Sequence, residues 1–259
     1  MVHFSPLDGS IGFENKQIVL ERAKQDLETL QRGGVDAVMF ENNFDTPKFE
    51  SLPESNAKQF EELIAELAPL THVPWGIAAL WNDYRLGFRL CKQYGGMMVR
   101  VPVFVDDVET TYGIFYAKPD EVLAARKELD AQDVALLVDV HVKHAKMLTP
   151  RSFKASLRDA LNYHPQAVVI TGQWTGDPPS VEQCKEAQQI CRGTCGVLTG
   201  SGMTAENISQ FIPFLDGCIV GTAFKEGDIE MSSRSGPNIV EPARRYDVKK
   251  IEAFMKALR

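Results

Sequence analysis

Two glycine-containing turns near the end of the chain have the residue types that bind an anion. Each follows a short apolar run: Gly200-Ser201-Gly202 lies in CGVLTGSGMTAEN, and Gly221-Thr222 lies in DGCIVGTAF. Glycine lets the backbone approach a ligand closely, and a helix that begins after such a turn presents free N–H groups to it. If the two runs are neighbouring parallel strands, the turns form one phosphate-binding site.

The densest cluster of acid–base groups is DVHVKHA, residues 139–145. If the preceding strand continues through this segment, Asp139, His141 and Lys143 share one face. A desolvated lysine is a good nucleophile, so one interpretation makes Lys143 a Schiff-base former or proton donor, with Asp139 or His141 as the base. In the other interpretation Asp139 and Lys143 form an ion pair, and His141 or His144 lies on a solvated loop.

Glu41 ends an apolar run and precedes two asparagines, which suits a general base or a ligand of a hard metal ion. Asp45, Asp83 and Asp139 could join Glu41 around Mg²⁺ through oxygen atoms. These carboxylates could equally cap helices or order loops. No H-x-H or H-E-x-x-H spacing supports zinc, no other cofactor is indicated, and a metal requirement stays open.

Further candidates for substrate binding come from the ends of other apolar runs. Arg100 needs an anionic partner, either a substrate group or a protein carboxylate. Trp174, in GQWTG, either stacks on a planar ligand or packs against the protein. Asn82 and Thr171 complete this set.

Apolar runs alternate with amphipathic stretches along the whole chain, which is typical of a parallel sheet covered by helices. The predicted strands are residues 2–4, 37–40, 75–80, 97–101, 134–138, 167–171, 196–199 and 218–220. The predicted helices are residues 14–32, 53–68, 84–93, 119–131, 150–163 and 181–191, a short helix capped by Thr204, and residues 248–258.

Eight strand–helix pairs in 259 residues predict an α/β fold, a single (β/α)8 or TIM barrel of parallel strands over residues 1–259. In such a barrel the catalytic groups follow the carboxyl ends of the strands, and a phosphate site often follows strands seven and eight. Two connections, 102–118 and 223–247, exceed the usual loop length and are predicted to be functional lids or disordered segments.

The composition, 44% hydrophobic and 24% charged, predicts an ordinary soluble globular protein. A net charge of −7 argues against binding to nucleic acid or anionic membranes.

The five cysteines include no C-x-x-C pair, which favours reduced thiols in the cytoplasm. We expect no signal peptide and no membrane insertion, because no basic region followed by an apolar run starts the sequence and no apolar run is long enough to span a bilayer. A homo-oligomer is the default expectation for a barrel.

Seven ordered blocks resemble the BtpA family, which is named for photosystem I biogenesis and includes SgcQ-type proteins of sugar operons. The blocks are VHFSPLDGS, GGVDAVMFENNFDTPKF, WNDY, DVHVKHA, VVITGQWTG, GSGMTAEN and DGCIVGTAFKEGD. The resemblance covers nearly the whole chain and implies a TIM barrel akin to the ribulose-phosphate-binding barrels. Asp8, the VPVFVDD stretch after Arg100 and the length of the last loop depart from the family pattern, so substrate choice could differ.

These observations together predict an enzyme that acts on a phosphorylated small molecule, such as a sugar phosphate or a nucleotide-like compound, by acid–base chemistry at the barrel mouth. Isomerase, lyase and hydrolase reactions all remain open. One alternative is a non-catalytic assembly or stability factor for a membrane complex such as photosystem I. The other is a Mg²⁺-dependent phosphoester or nucleotide hydrolase.

Overall fold

The computed structural model describes residues 1–227 and 241–259, and its strands form two sheets. The strands are β1 (Val2–His3), β2 (Val38–Glu41), β3 (Trp75–Ala78), β4 (Met98–Val101), β5 (Val108–Thr110), β6 (Gly113–Phe115), β7 (Ala135–Val140), β8 (Ala145–Met147), β9 (Ala167–Ile170), β10 (Gly196–Thr199) and β11 (Gly217–Cys218). Eight parallel strands make one curled sheet in the order β1-β2-β3-β4-β7-β9-β10-β11. The prediction of an α/β barrel with parallel strands is therefore confirmed.

Seven α-helices lie in the described part of the chain and cover the outside of this sheet. They are α1 (Lys16–Arg32), α2 (Glu54–Leu67), α3 (Tyr84–Tyr94), α4 (Pro119–Glu128), α5 (Phe153–Leu161), α6 (Val181–Cys191) and α7 (Val248–Leu258). Short polar side chains fix where several of them begin. Asn15, Asp83 and Ser152 each accept a hydrogen bond from a backbone N–H in the first turn of the helix that follows.

The prediction of a short α-helix after Thr204 is wrong. This segment forms two 3-10 turns instead, Ile208–Gln210 and Ile212–Phe214. The Thr204 N–H donates to Oδ1 of Asn207, and Nδ2 of Asn207 donates to the Gly202 carbonyl. These local bonds offer the backbone an alternative to helical hydrogen bonding. The same bonds hold the chain that leaves the first glycine turn.

The long connection after β4 is ordered rather than disordered, because it contributes β5 and β6 to a second, antiparallel sheet of order β6-β5-β8. This small sheet has its own apolar core of Trp81, Val103, Val108 and Phe115. Most of the other long connection, 223–247, lies outside the described residues, which resume at Glu241.

The first and last strands of the barrel are joined by contacts other than a strand ladder. The Met1 nitrogen donates to the Val220 carbonyl at 2.8 Å, and the Tyr246 hydroxyl donates to the Met1 carbonyl. Lys225, fully buried, lies 3.2 Å from Asp26 of α1 and 3.7 Å from the centre of the Tyr246 ring. The chain that leaves the last strand is thereby fixed to β1 and α1.

Apolar side chains pack on both faces of the curled sheet. Outside it, Phe4, Phe40, Phe60 and Phe88 are fully buried between strands and helices. Inside it, a smaller cluster comprises Met39, Ala78, Leu137, Ala167 and Val169. No helix of the described residues has the length and apolar character needed to cross a bilayer. A single domain over residues 1–259 remains a prediction.

Candidate active site

A small cavity opens at the carboxyl ends of β10 and β11, and both glycine turns form its wall. Its volume is about 50 Å³, and its lining includes residues 200–203 and 219–223. Since one water molecule needs roughly 10–15 Å³ of such space, the cavity suits a few waters or one small anionic group. In the described part of the chain no protein acceptor bonds the backbone N–H groups of Gly202, Met203, Thr222 and Ala223.

Glycine is required in this wall because a Cβ atom would collide with neighbouring groups. Gly202 has φ +73°, and a Cβ there would lie 2.1 Å from the Pro178 nitrogen. A Cβ on Gly221 would lie 2.5 Å from the His3 ring. The Ser201 hydroxyl donates to the Asp177 carbonyl at 2.9 Å and accepts from the Gly172 N–H, so it joins the turn after β10 to the chain after β9.

A buried charge cluster contributes Glu41 and Arg100 to the cavity lining. Arg100 of β4 donates two hydrogen bonds to Asp139 of β7, Nε to Oδ1 at 2.8 Å and Nη2 to Oδ2 at 2.7 Å. Its Nη1 lies 3.9 Å from Oε1 of Glu41, at the end of β2. The anionic partner of Arg100 is thus a protein carboxylate, in the bidentate geometry that offsets part of the desolvation cost of a buried pair.

Glu41 also contacts His3, whose Nε2 lies 3.3 Å from Oε2. Burial alone would raise the pKa of Glu41, but the hydrogen bond from His3 and the charges of Arg100 and Lys143 lower it to about 2. Burial lowers the pKa of His3 to about 4. At neutral pH the imidazole is therefore neutral and donates its Nε2 hydrogen to an ionised Glu41, because a carboxylate can only accept. The His3 Nδ1 is buried without a partner among the described residues.

Lys143 lines the same cavity and is half-buried. Its backbone N–H donates to the Thr171 hydroxyl at 3.0 Å, whereas in the described part of the chain no acceptor bonds its side-chain amine. Burial and the charge of Arg100 lower the pKa of Lys143 to about 8, against the opposing charges of Glu41 and Asp139. This amine therefore titrates close to neutral pH.

The strand before the acid–base cluster does not continue to Lys143, so the predicted face shared by Asp139, His141 and Lys143 is wrong. β7 ends at Val140, and His141 has φ +55°. His141 turns toward α5, where its Nε2 lies 3.3 Å from the Ser156 hydroxyl. His144 Nε2 lies 2.8 Å from Oγ1 of Thr175, and burial and the Lys143 charge lower the His144 pKa to about 3. Neither histidine lines the cavity.

Other candidates hold the loops around the mouth. The Asn82 side chain bonds both the N–H and the carbonyl of Val103, at 3.0 and 2.8 Å. The Thr171 hydroxyl accepts a hydrogen bond from the Lys143 N–H and donates one to the His141 carbonyl. Trp174 packs beside the His144 ring, with the ring centres 5.4 Å apart. These three side chains therefore shape the rim, and a contact of Trp174 with substrate stays a prediction.

The carboxylates suggested for a metal are engaged by protein donors. Asp83 caps α3 and accepts from the N–H groups of Leu52 and Leu86. Asp45 accepts from the Leu7 N–H and the Ser10 hydroxyl, and both Asp139 oxygens accept from Arg100. In residues 1–227 and 241–259 no three His, Cys, Asp or Glu side chains converge on one ion. The proposed grouping of Glu41, Asp83 and Asp139 is therefore not formed.

Two parts of the site were missing from the predicted set. His3, the partner of Glu41, could have been found from its position as the one polar residue inside the apolar run Val2–Phe4. The backbone amides of Met203 and Ala223 carry no such signal, because a backbone group takes its role from the fold rather than from the residue type.

Comparison with known proteins gives one family and one fold. The model of the BtpA family matches residues 1–236. Over 262 aligned residues, which cover 100% of this chain and 86% of the relative, the sequence is 33% identical to the photosystem I biogenesis protein BtpA of Synechocystis sp. (strain PCC 6803). It is 26% identical to the putative sgc region protein SgcQ of Escherichia coli K12, covering 88% of this chain and 86% of that protein.

Among solved structures, N-(5'-phosphoribosyl)anthranilate isomerase from Pyrococcus furiosus superposes with a TM-score of 0.54. The match covers 90% of this chain and 94% of that one, at 13% sequence identity. At this identity the likeness shows the barrel fold and nothing about the reaction.

Proposed function

This chain belongs to the BtpA family, and from that premise and the geometry of the barrel mouth we propose that it is an enzyme acting on a phosphorylated small molecule. One observation carries the proposal. Within the described residues, the backbone N–H groups of Gly202, Met203, Thr222 and Ala223 have no protein acceptor, and these residues of the two glycine turns line a cavity together with Lys143, Glu41 and Arg100. An anion site next to titratable groups is what such an enzyme needs.

The phosphate group would be held by backbone N–H groups rather than by a free arginine. Arg100 is already paired with Asp139, and the negative Glu41 offsets the positive Lys143. The wall of amides is therefore the part of the cavity that attracts an anion, despite the net charge of −7. The P. furiosus neighbour, an isomerase with a phosphoribosyl group in the name of its substrate, supports this role for the fold.

Lys143 is better suited than Glu41 to be the reactive group of the cavity. A catalytic group works best when its pKa lies near the working pH. The pKa of about 8 places Lys143 in that range, while a Glu41 pKa of about 2 makes its carboxylate a weak proton acceptor at pH 7. Glu41 would act mainly as a fixed negative charge. The reaction is then an isomerisation or a bond cleavage in which the Lys143 amine takes part.

The phosphate site can be tested by thermal denaturation with inorganic phosphate and a panel of sugar phosphates and nucleotides, with and without Mg²⁺. A ligand of the folded state stabilises it by about 2.7 kcal/mol at a concentration one hundred times its Kd. Thr222, which lines the cavity, offers a matched pair of variants. We expect Thr222→Asn to keep the shift and Thr222→Asp, of similar size but negative, to abolish it.

Two results would count against the phosphate site. The first is the absence of any stabilisation across the panel in the unmodified protein. The second is an equal shift in Thr222→Asp and Thr222→Asn, which would locate the ligand elsewhere.

A non-catalytic assembly role is the second candidate, favoured by the name of the Synechocystis relative and by exposed apolar side chains at the edges of the small sheet. Ile114, Tyr116 and Leu148 are 49%, 54% and 41% exposed there. This role predicts that Ile114→Ser with Tyr116→Ser weakens association with a membrane complex while Lys143→Ala has no effect. Mg²⁺-dependent hydrolysis is not proposed, because Asp83 and Asp139 are occupied by protein donors.

A further inference from the structure

Three lysines share a pKa that burial lowers to about 8: Lys48, Lys143 and Lys225. Two of them are held by protein acceptors. The Lys48 amine donates to the carbonyls of Asn43 and Asn42, at 2.7 and 3.3 Å, and the Lys225 amine pairs with Asp26. Lys143 differs from both, because within the described residues its amine has no acceptor and it faces a cavity.

The surroundings of Lys143 explain why its amine has no acceptor among the described residues. Asp139, the nearest acid on the same segment, gives both oxygens to Arg100. Glu41 is occupied by His3, and Arg100 adds positive charge that disfavours a second cation beside it. The bond from the Lys143 N–H to Thr171 fixes the backbone that carries the side chain. A lysine that is only structural would take an acceptor, as Lys48 and Lys225 do.

Because its pKa is lowered, Lys143 is neutral in a larger fraction of molecules at physiological pH. With the ordinary value of 10.5, about 1 lysine in 3,000 is neutral at pH 7, whereas a pKa of about 8 gives about 1 in 10. Only the neutral amine is a nucleophile, and desolvation is one established way to activate a lysine toward carbonyl groups.

We propose that Lys143 forms an imine with a carbonyl carbon of the substrate, so that the substrate class is phosphorylated aldehydes and ketones. This inference rests on the proposed function, because the phosphate would be held by the amides in the same cavity. The Lys143 nitrogen bonds to the carbonyl carbon, and the C–O π bond breaks. Loss of water then takes the oxygen together with both amine hydrogens and leaves a C=N bond. No oxidant or reductant is consumed.

The charge cluster suits that intermediate. An imine that gains a proton from solvent carries a positive charge next to the ionised Glu41, which stabilises it, while the paired Arg100 stays in place. A protonated imine withdraws electrons from the neighbouring carbon. The reactions it promotes are isomerisation next to the former carbonyl and cleavage of a carbon–carbon bond, so hydrolysis of the phosphate ester is not the chemistry expected here.

Reductive trapping tests the imine directly. The protein would be incubated with glyceraldehyde 3-phosphate or dihydroxyacetone phosphate, reduced with sodium borohydride, and analysed by intact mass and peptide mapping. We expect one adduct, on Lys143, which forms with a pH midpoint near 8 and at least ten times faster than with unphosphorylated glyceraldehyde or dihydroxyacetone.

Two variants serve as controls. Lys143→Arg keeps the positive charge, but its guanidinium is not a nucleophilic amine near neutral pH. This variant should form no adduct, and phosphate should still raise its melting temperature. Lys146→Arg changes an exposed lysine of the same segment and should be labelled like the unmodified protein.

The outcomes separate this inference from the proposed function. Stabilisation by phosphate without an adduct, or equal labelling in Lys143→Arg, overturns the imine and leaves the phosphate site standing. An adduct on Lys143 that forms equally fast without a phosphate on the probe supports the imine and rejects the phosphate site. Absence of both stabilisation and adduct rejects both.

Discussion

At the scale of single residues, the barrel mouth depends on which charged groups pair and which stay free. Arg100 and Asp139 are nearly inaccessible to solvent and bond through two hydrogen bonds. Both carboxylate oxygens of Asp139 therefore bond to Arg100, and Asp139 is not the ion-pair partner or base of Lys143 that the sequence suggested. The neutral His3 likewise contacts Glu41, so among the described residues Lys143 is the charged group of the cavity that remains available to a ligand.

Arg100→Gln should lower the free energy of unfolding by about 3–5 kcal/mol, because it leaves Asp139 buried without a counter-charge. Urea denaturation monitored by circular dichroism measures this loss. The double variant Arg100→Met with Asp139→Leu should lose less, since no uncompensated charge remains at that pair. A double variant as unstable as the single one would contradict the ion pair as the cause.

His3 should make the protein sensitive to mild acid. Burial lowers its pKa from 6.5 to about 4, so it binds a proton less readily folded than unfolded. Its contribution to stability is fully present above about pH 6.5 and is lost as the pH falls to about 4, on the order of 3 kcal/mol. His3→Gln, which keeps a donor for Glu41, should flatten the fall in unfolding free energy over this range. His72→Gln, at an exposed histidine, should not.

At the scale of elements, loops hold the site through side-chain to backbone bonds. Asn82 ties the end of β3 to the chain after β4, and Ser201 ties the turn after β10 to the chain after β9. The small antiparallel sheet was missed from the sequence because β5 and β8 are three residues each and come from segments far apart in the chain. Strands that short show no readable alternation.

Asn82→Ala should destabilise the protein by about 2 kcal/mol, because it leaves the buried N–H and carbonyl of Val103 without partners. Thermal unfolding gives the loss, and hydrogen exchange should rise first in residues 103–115. Hydrogen exchange that rises equally throughout the protein would argue against a local role of the Asn82–Val103 bonds. Gln93→Ala, an exposed amide elsewhere, is the matched control.

At the scale of the whole molecule, the barrel closes through a few polar contacts rather than a strand ladder between β11 and β1. The Met1–Val220 bond, the Tyr246 hydroxyl and the buried Lys225–Asp26 pair join the two ends of the sheet. Because the second glycine turn lies between Val220 and Lys225, this closure also fixes one wall of the cavity.

Tyr246→Phe should therefore cost about 1 kcal/mol of unfolding free energy, the usual net value of one hydrogen bond. The ring over Lys225 is kept, so the loss reports the hydroxyl alone. Affinity for a phosphorylated ligand should fall together with stability if the closure positions the glycine turn. Reduced stability with unchanged affinity would show that the wall is held independently.

The sequence alone determined the barrel class, the order of its eight strands and the position of the two glycine turns, because strand periodicity, helix caps and turn chemistry are local properties. It also marked Glu41, Arg100, Asp139 and Lys143 as residues of the mouth. Only the tertiary structure decided that Arg100 binds Asp139, that His3 binds Glu41 and that His141 turns away from the cavity. Those outcomes depend on distances between different strands and on burial, and neither is encoded within any one segment.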